Sequence, residues 1–386
     1  MMSTLSTPSF TIITRDLTTV IGKAALNNMR AHVTVSCASC NPGRYTDYSD
    51  DQIKEAFDNT NLMFEIYMID PENAFNVPSG LALIDVQNRV ATIKLLFTLP
   101  AGKGHMLITK ILAYARSYFS TPNVDTIYCN SYNFSWITGS CIAHHFVKCE
   151  GDSHQYRTTI LHFNQHEVKK LSSIPELKKA TGEQIKMEQS FEHSPYDPSH
   201  GPLYQAFIKN LLDSSVITED ELKRSRSDVR TTILRPGQSS NPLGIHGDFT
   251  PREPGTNLFY NPDPNQTLKI IVVSSGSPGT KVYTKPINVP ICTNEWTHVW
   301  REAQVQNAVV GTNAKYFETE SGCPVVFTEM QMHEAQALEA RHMSNGETAS
   351  ARVFMRLIIY PKSRKSEVPT EAASSLPQVY IKNIEM

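Results

Sequence analysis

No stretch of this 386-residue chain approaches the roughly 18 uninterrupted apolar residues that a membrane-spanning helix needs, so no such helix is expected. Charge of neither sign is in excess. The 36 Lys and Arg stand against 38 Asp and Glu, a net charge of −2, which gives no footprint for nucleic acid or an anionic membrane. Met1–Phe10 is rich in Ser and Thr and lacks a basic segment followed by an apolar run. No secretory signal is read there, and a cytoplasmic setting is expected. Cysteine is sparse and odd in number, seven in all, which argues against a disulfide framework. Cys37 and Cys40 form a CxxC with no second pair to complete a zinc site, and read as two free thiols in a loop.

What is present is length enough for two domains and two different patterns of periodicity. Strand and helix signals alternate up to about Phe163. Strands are expected at Phe10–Arg15, Leu62–Ile69, Gly80–Val86, Val90–Leu99, Asp125–Cys129 and Arg157–Phe163. Helices are expected at Val20–Ala31, Asp51–Asp58, Gly104–Phe119 and Trp136–Phe146. The clearest helix places Leu107, Ile108, Ile111, Leu112, Ala115 and Phe119 at helical spacing. This mixture predicts an α/β domain over residues 1–165. Residues 166–200 are polar and read as a linker with a helix at Ile174–Ala180. Within 201–386, helices at Tyr204–Leu212 and Glu219–Arg226 precede short strands at Arg230–Leu234, Leu268–Ser274, Lys281–Tyr283, Val325–Thr328 and Arg352–Tyr360. Such strands, punctuated by Pro, Gly, Asn and Ser, predict an all-β sandwich or jelly roll with flanking helices.

In the C-terminal part, His246-Gly247-Asp248 puts two metal-ligating side chains on one side of a strand end, because alternate strand residues point the same way. Further on, the apolar strand Val325-Val326-Phe327 runs into His333-Glu334. Ser350–Tyr360 is an apolar strand with Arg352 and Arg356 four apart. An Fe(II) site of two imidazoles and a carboxylate leaves neighbouring positions open for co-substrate and dioxygen. These residues resemble the 2-oxoglutarate- and Fe(II)-dependent oxygenases, the prolyl-hydroxylase-like branch in particular, over about residues 200–362. The resemblance implies a double-stranded β-helix and Fe(II) held by His246, Asp248 and His333. It also implies that Arg352 takes the distal carboxylate of 2-oxoglutarate, a task that suits a guanidinium fork. Ser277-Pro278-Gly279-Thr280-Lys281-Val282-Tyr283 is similar to a turn of that family between the ligand strands. His342, ten positions before Arg352, is the alternative third ligand. The nineteen positions from His333 to Arg352 predict an extended hairpin over Glu334–Thr348.

In the N-terminal part, the strand Val90–Leu99 enters the turn Pro100-Ala101-Gly102-Lys103-Gly104, which opens the long helix. Backbone N–H groups at a helix start attract an anion, and glycines let a diphosphate come close. With the strand, helix and strands that follow, this order resembles the GNAT N-acetyltransferases over about residues 8–165. The resemblance implies that Ala101, Gly102, Lys103 and Gly104 cradle the pyrophosphate of acetyl-CoA and that Leu96–Thr98 faces its pantetheine arm. Leu99 and His145 depart from the family pattern, and Cys141, His144 and Tyr132 are the candidates for a general acid.

The main expectation is a 2-oxoglutarate- and Fe(II)-dependent dioxygenase acting on an amino acid, peptide or small molecule, joined to an N-terminal GNAT-like domain that acetylates an amine. The alternatives are an acyl-CoA-dependent N-acetyltransferase with an inert β domain and a non-enzymatic interaction protein. His154, His162 and His166 read as exposed strand-end histidines. Trp296 and Trp300 read as core.

Overall fold

The computed structural model describes residues 9–39, 49–69, 79–98, 104–120, 124–131, 135–144, 146–152, 154–188, 191–193, 195–196, 200–240, 244–247, 259–290, 315–343 and 348–363. Its chain divides into two compact units. The first comprises Met1–His162 with Pro251–Asn261 and Asn288–Trp300. The second comprises Phe163–Thr250, Pro262–Ile287 and Arg301–Met386.

In chain order the elements begin with β1 (Ser9–Asp16), α1 (Val20–Ser39), α2 (Asp50–Asp58), β2 (Leu62–Ile69), β3 (Gly80–Gln87) and β4 (Val90–Thr98). Then come α3 (Gly104–Tyr118), β5 (Thr126–Asn130), α4 (Ser135–Ala143), β6 (Val147–Lys148) and β7 (Gln155–Phe163). Next are β8 (Lys169–Lys170), α5 (Pro175–Lys178), α6 (Gly182–Met187), β9 (Phe191–His193), α7 (Pro202–Asp213) and α8 (Glu219–Lys223). The later strands are β10 (Ser225–Leu234), β11 (Lys269–Ser275), β12 (Thr280–Tyr283), β13 (Ile287–Pro290), β14 (Tyr316–Glu318), β15 (Val325–Thr328), β16 (His333–Ala335) and β17 (Ser350–Ile359), with short 3-10 turns at Pro264–Gln266 and Ala340–His342.

The first unit is a mixed sheet in the order β1-β2-β3-β4-β5-β7-β13, with β6 on β7. Neighbours are antiparallel from β1 to β4, β4 and β5 are parallel, and β5 and β7 are antiparallel again. A parallel pair needs a crossover connection, and α3 supplies it. The face of α3 bearing Leu107, Ile108, Ile111, Leu112 and Ala115 is wholly buried in the first core with Phe64, Ile84 and Ile93. This is the mixed α/β arrangement that the alternating strand and helix signals predict. α2 starts as its sequence dictates: Ser49 and Gln52 form a reciprocal capping box.

The second unit holds a six-stranded antiparallel sheet, β8-β15-β11-β17-β10-β9, and a three-stranded one, β14-β12-β16. Leu203, Phe207 and Leu211 of α7 pack with Ile271, Val273, Met355 and Leu357 in a second core. Three expectations meet a different outcome here. Residues 166–200, expected as a linker, contribute β8 and β9 as edge strands and bring Ile174, Leu177 and Ile185 into the second core. The expected helix Glu219–Arg226 stops at Lys223 because Ser225 already pairs with Ile359 in the β10–β17 ladder, and that long ladder overrides local helix preference. In place of a plain hairpin after His333, β16 pairs with β12 and a short 3-10 turn covers Ala340–His342.

Candidate functional site

β10 and β17 run antiparallel with Asp228 opposite Arg356, Arg230 opposite Phe354 and Thr232 opposite Arg352. Alternate residues share a strand face, so these six side chains line one cavity, of about 130 Å³. The lining is completed by Thr280, His333 and Ala335 from the three-stranded sheet, with Ser240 and His246. Two of the expected metal ligands and the expected carboxylate anchor thus share one cavity.

His246 and His333 are joined through their main chains. The His246 N–H donates to the His333 carbonyl at 2.9 Å, and the His333 N–H to the His246 carbonyl at 2.8 Å. This antiparallel bridge brings the two imidazoles to 4.5 Å between centroids. Both side chains are buried. Nδ1 of His246 lies 2.8 Å from the Gly244 carbonyl, and Nδ1 of His333 lies 3.1 Å from the Gln331 carbonyl. A carbonyl oxygen only accepts, so each Nδ1 carries a proton, and the tautomer this fixes has its ring lone pair on Nε2. That is the tautomer that binds metals. Phe327 stands 5.4 Å from the His333 ring.

Arg352 is 2% exposed. Its Nη1 donates to the Ser240 hydroxyl and its Nη2 to Thr280 Oγ1 at 3.1 Å, while Nε has no hydrogen-bond partner among the described residues. Burial pulls its pKa down to about 10, so it remains a cation at neutral pH. Its described partners are neutral hydroxyls. Thr280 reaches it because Gly279 permits close passage of the preceding turn: a Cβ on Gly279 would lie 2.1 Å from the Thr319 carbonyl oxygen. Deeper in the sheet, Arg356 Nη2 donates to Asp228 Oδ2 at 2.5 Å and Arg230 Nε to Asp228 Oδ1 at 3.2 Å.

Asp248, the expected carboxylate ligand, lies outside the described residues. Among the described residues no three His, Cys, Asp or Glu side chains are grouped to hold a metal. His342, the alternative ligand, sits in the 3-10 turn, where Nδ1 accepts the Glu339 N–H at 3.1 Å, and it is absent from the cavity lining. Sequence reasoning missed Asp228, Arg230 and Thr232. They alternate along β10, but their grouping with Arg356, Phe354 and Arg352 is set by the β10–β17 register, which leaves no local signal.

In the first unit, β4 and β5 pair only from Val90↔Thr126 to Ile93↔Cys129. At that point the β3–β4 register slips, Leu83 facing Leu95 and Ile84 facing Ile93, so Lys94 is an extra residue in β4. Such a bulge bends and twists its strand, and the β4–β5 ladder ends there. Gly104 opens α3, whereas Ala101, Gly102 and Lys103 lie outside the described residues. So do Cys40, Tyr132, His145, Trp296 and Trp300. Cys141 is fully buried; its hydrogen bond to Cys129, together with burial, pushes the Cys129 thiol pKa up. His144 has its pKa lowered by burial first and then by Arg116 and Lys110.

His162 corrects an expectation. His166 is exposed, but His162 is buried, with Nε2 at 2.7 Å from Asp125 Oδ1 and Nδ1 at 2.7 Å from Asn288 Oδ1. Its own N–H donates to Asn261 Oδ1 at 2.8 Å. Partners so distant in sequence leave no local pattern.

No protein-family profile and no curated protein matches the chain. Among solved structures, an N-acetyltransferase from Staphylococcus aureus is similar at 12% identity and a TM-score of 0.27, over 39% of this chain and 96% of that one. The catalytic domain of a Tetrahymena histone acetyltransferase in complex with coenzyme A is similar at 13% identity and a TM-score of 0.25, over 40% and 93%. Apo HygX from Streptomyces hygroscopicus is similar at 12% identity and a TM-score of 0.28, over 53% and 83%. All three likenesses have TM-scores of 0.28 or less. At TM-scores this low they carry no weight for activity, and they lend none to an oxygenase. Among the described residues no helix is long and apolar enough to cross a membrane.

Proposed function

We propose that the two units carry separate chemistries. The first unit binds acetyl-CoA and transfers its acyl group to an amine. The observation that supports this is the parallel pair β4–β5, bridged by α3, whose ladder ends at Ile93 where β4 bulges at Lys94. An extended pantetheine arm would lie beside Leu96–Thr98, and Ala101, Gly102, Lys103 and Gly104 would meet the pyrophosphate. Acyl transfer then needs the amine positioned and deprotonated, which a water-linked base achieves. Acetyl-CoA raises the melting temperature of the chain, and a Gly102→Glu variant loses that shift. No shift of the unaltered chain at millimolar acetyl-CoA refutes the assignment.

The second unit, in the same proposal, is a 2-oxoglutarate- and Fe(II)-dependent dioxygenase acting on a small molecule or peptide. The cavity that joins His246, His333 and a buried Arg352 supports this reading. The donor set fits the metal: two imidazoles with Nε2 lone pairs, each fixed by an Nδ1–H bond to a carbonyl. Asp248 would complete the set. When bound, Fe(II) with 2-oxoglutarate supplies dioxygen activation coupled to formation of succinate and CO₂. Arg352 would hold the distal carboxylate of 2-oxoglutarate, with Thr280 and Ser240 fixing its guanidinium plane, and burial would exclude water. Succinate release that requires both Fe(II) and 2-oxoglutarate, and that disappears in a His246→Ala, Asp248→Ala double variant, is the test. Succinate formation undiminished in that variant removes the assignment.

A further inference from the structure

The cavity of the second unit is more cationic than one carboxylate ligand requires. Arg352, Arg230 and Arg356 line it, and Asp228 is the acidic side chain among the described lining. Asp228 is shared, taking a hydrogen bond from Arg356 on one oxygen and from Arg230 on the other. One carboxylate thus faces two guanidiniums, and a third stands apart with neutral partners.

The two outlying arginines are not equivalent. Arg356 and Asp228 are buried, their side chains 9% and 4% exposed, whereas the Arg230 side chain is 42% exposed. Arg230 uses only Nε on Asp228, so its two terminal amino groups have no partner among the described residues. They form the edge of a fork that matches an oxyanion. The register places Arg230 opposite Phe354, one inward-facing row along from Thr232 and Arg352. Two residues along a strand put these rows about 7 Å apart. Phe354 lies beside Arg352, with the guanidinium 5.5 Å from its ring. The cavity therefore offers a buried cation, an apolar ring and a second, more accessible cation in sequence.

We propose that the substrate of this cavity is an anion, and that Arg230 reads its carboxylate or phosphate while Phe354 supports the apolar part beside it. The inference rests on the dioxygenase reading only for naming 2-oxoglutarate as the occupant of Arg352. Asp228 is then a positioning residue that aims Arg230.

The test titrates the full-length chain, with and without 2-oxoglutarate, using benzoate, phenyl phosphate and benzamide, followed by calorimetry and by thermal shift. Benzoate or phenyl phosphate binds and neutral benzamide does not, and the tighter of the two anions identifies carboxylate or phosphate. Arg230→Gln weakens that anion roughly tenfold or more and leaves 2-oxoglutarate affinity unchanged, while Arg230→Lys keeps part of the binding. Equal binding of benzamide, no binding of either anion, or an Arg230→Gln variant indistinguishable from the unaltered chain overturns the proposal. So does an Arg230→Gln variant that loses 2-oxoglutarate to the same degree, since one site would then serve both ligands. Failure of the dioxygenase reading has a different signature: no binding of 2-oxoglutarate, with the anion response to Arg230→Gln intact.

Discussion

His246 and His333 hold one another by their own main chains, through a two-hydrogen-bond bridge between segments 87 positions apart in sequence, and this sets their imidazoles 4.5 Å from each other. Neither ring depends on a long flexible stem for its position. A pair placed in this way is suited to grip one ion from two sides.

On the proposed iron site, His333→Ala is expected to lower Fe(II) or Co(II) affinity by roughly 100-fold or more, since even a residue that only supports a ligand is worth 10–100-fold. His342→Ala leaves affinity unchanged, because His342 is occupied with the Glu339 main chain. Anaerobic titration calorimetry on both variants checks this.

Arg352→Gln shortens the side chain and removes its charge and its guanidinium fork. Loss of about 2–5 kcal/mol in 2-oxoglutarate affinity is expected, the usual cost of truncating one side of a buried charge pair. Metal affinity stays as it was, which equilibrium binding of each ligand to the variant establishes.

The Asp228–Arg356 pair is buried, so removing one partner strands the other. Arg356→Met costs about 3–5 kcal/mol of stability, and adding Asp228→Asn recovers a large part of that. Urea unfolding of the single and double variants gives the coupling.

Burial acts to raise the pKa of Asp125, but the hydrogen bonds from Arg89 and His162 outweigh it and hold the carboxyl at about 2. A carboxyl depressed on folding contributes stability that is present above its ordinary value near 3.8 and is lost as pH falls towards 2. Denaturation series across that window show a slope that Asp125→Asn flattens.

Element types were legible where periodicity was strong. The apolar face of α3 and the alternation of β4 are visible in the letters themselves, and the capping boxes at Ser49, Thr181 and Thr218 mark helix starts. His333 stood out as a histidine ending an apolar strand, and Arg352 as a charge within one. Asp228 and Arg230 did not, because their role comes from the register of β10 against β17, which no local pattern encodes. The short strands β8 and β9 exist only through pairing with β15 and β10 and have no propensity of their own to display. His162 is a further case: its burial is set by asparagines about a hundred positions away.

That last arrangement limits how the chain can be divided. A fragment ending at residue 165 would carry His162 without Asn261 or Asn288, and its sheet would lack β13 beside β7. It would expose a strand edge and leave buried polar groups unmatched, which favours aggregation. The two proposed chemistries are therefore to be tested by point substitution in the intact polypeptide, and the halves, expressed apart, are expected to need each other to become well behaved.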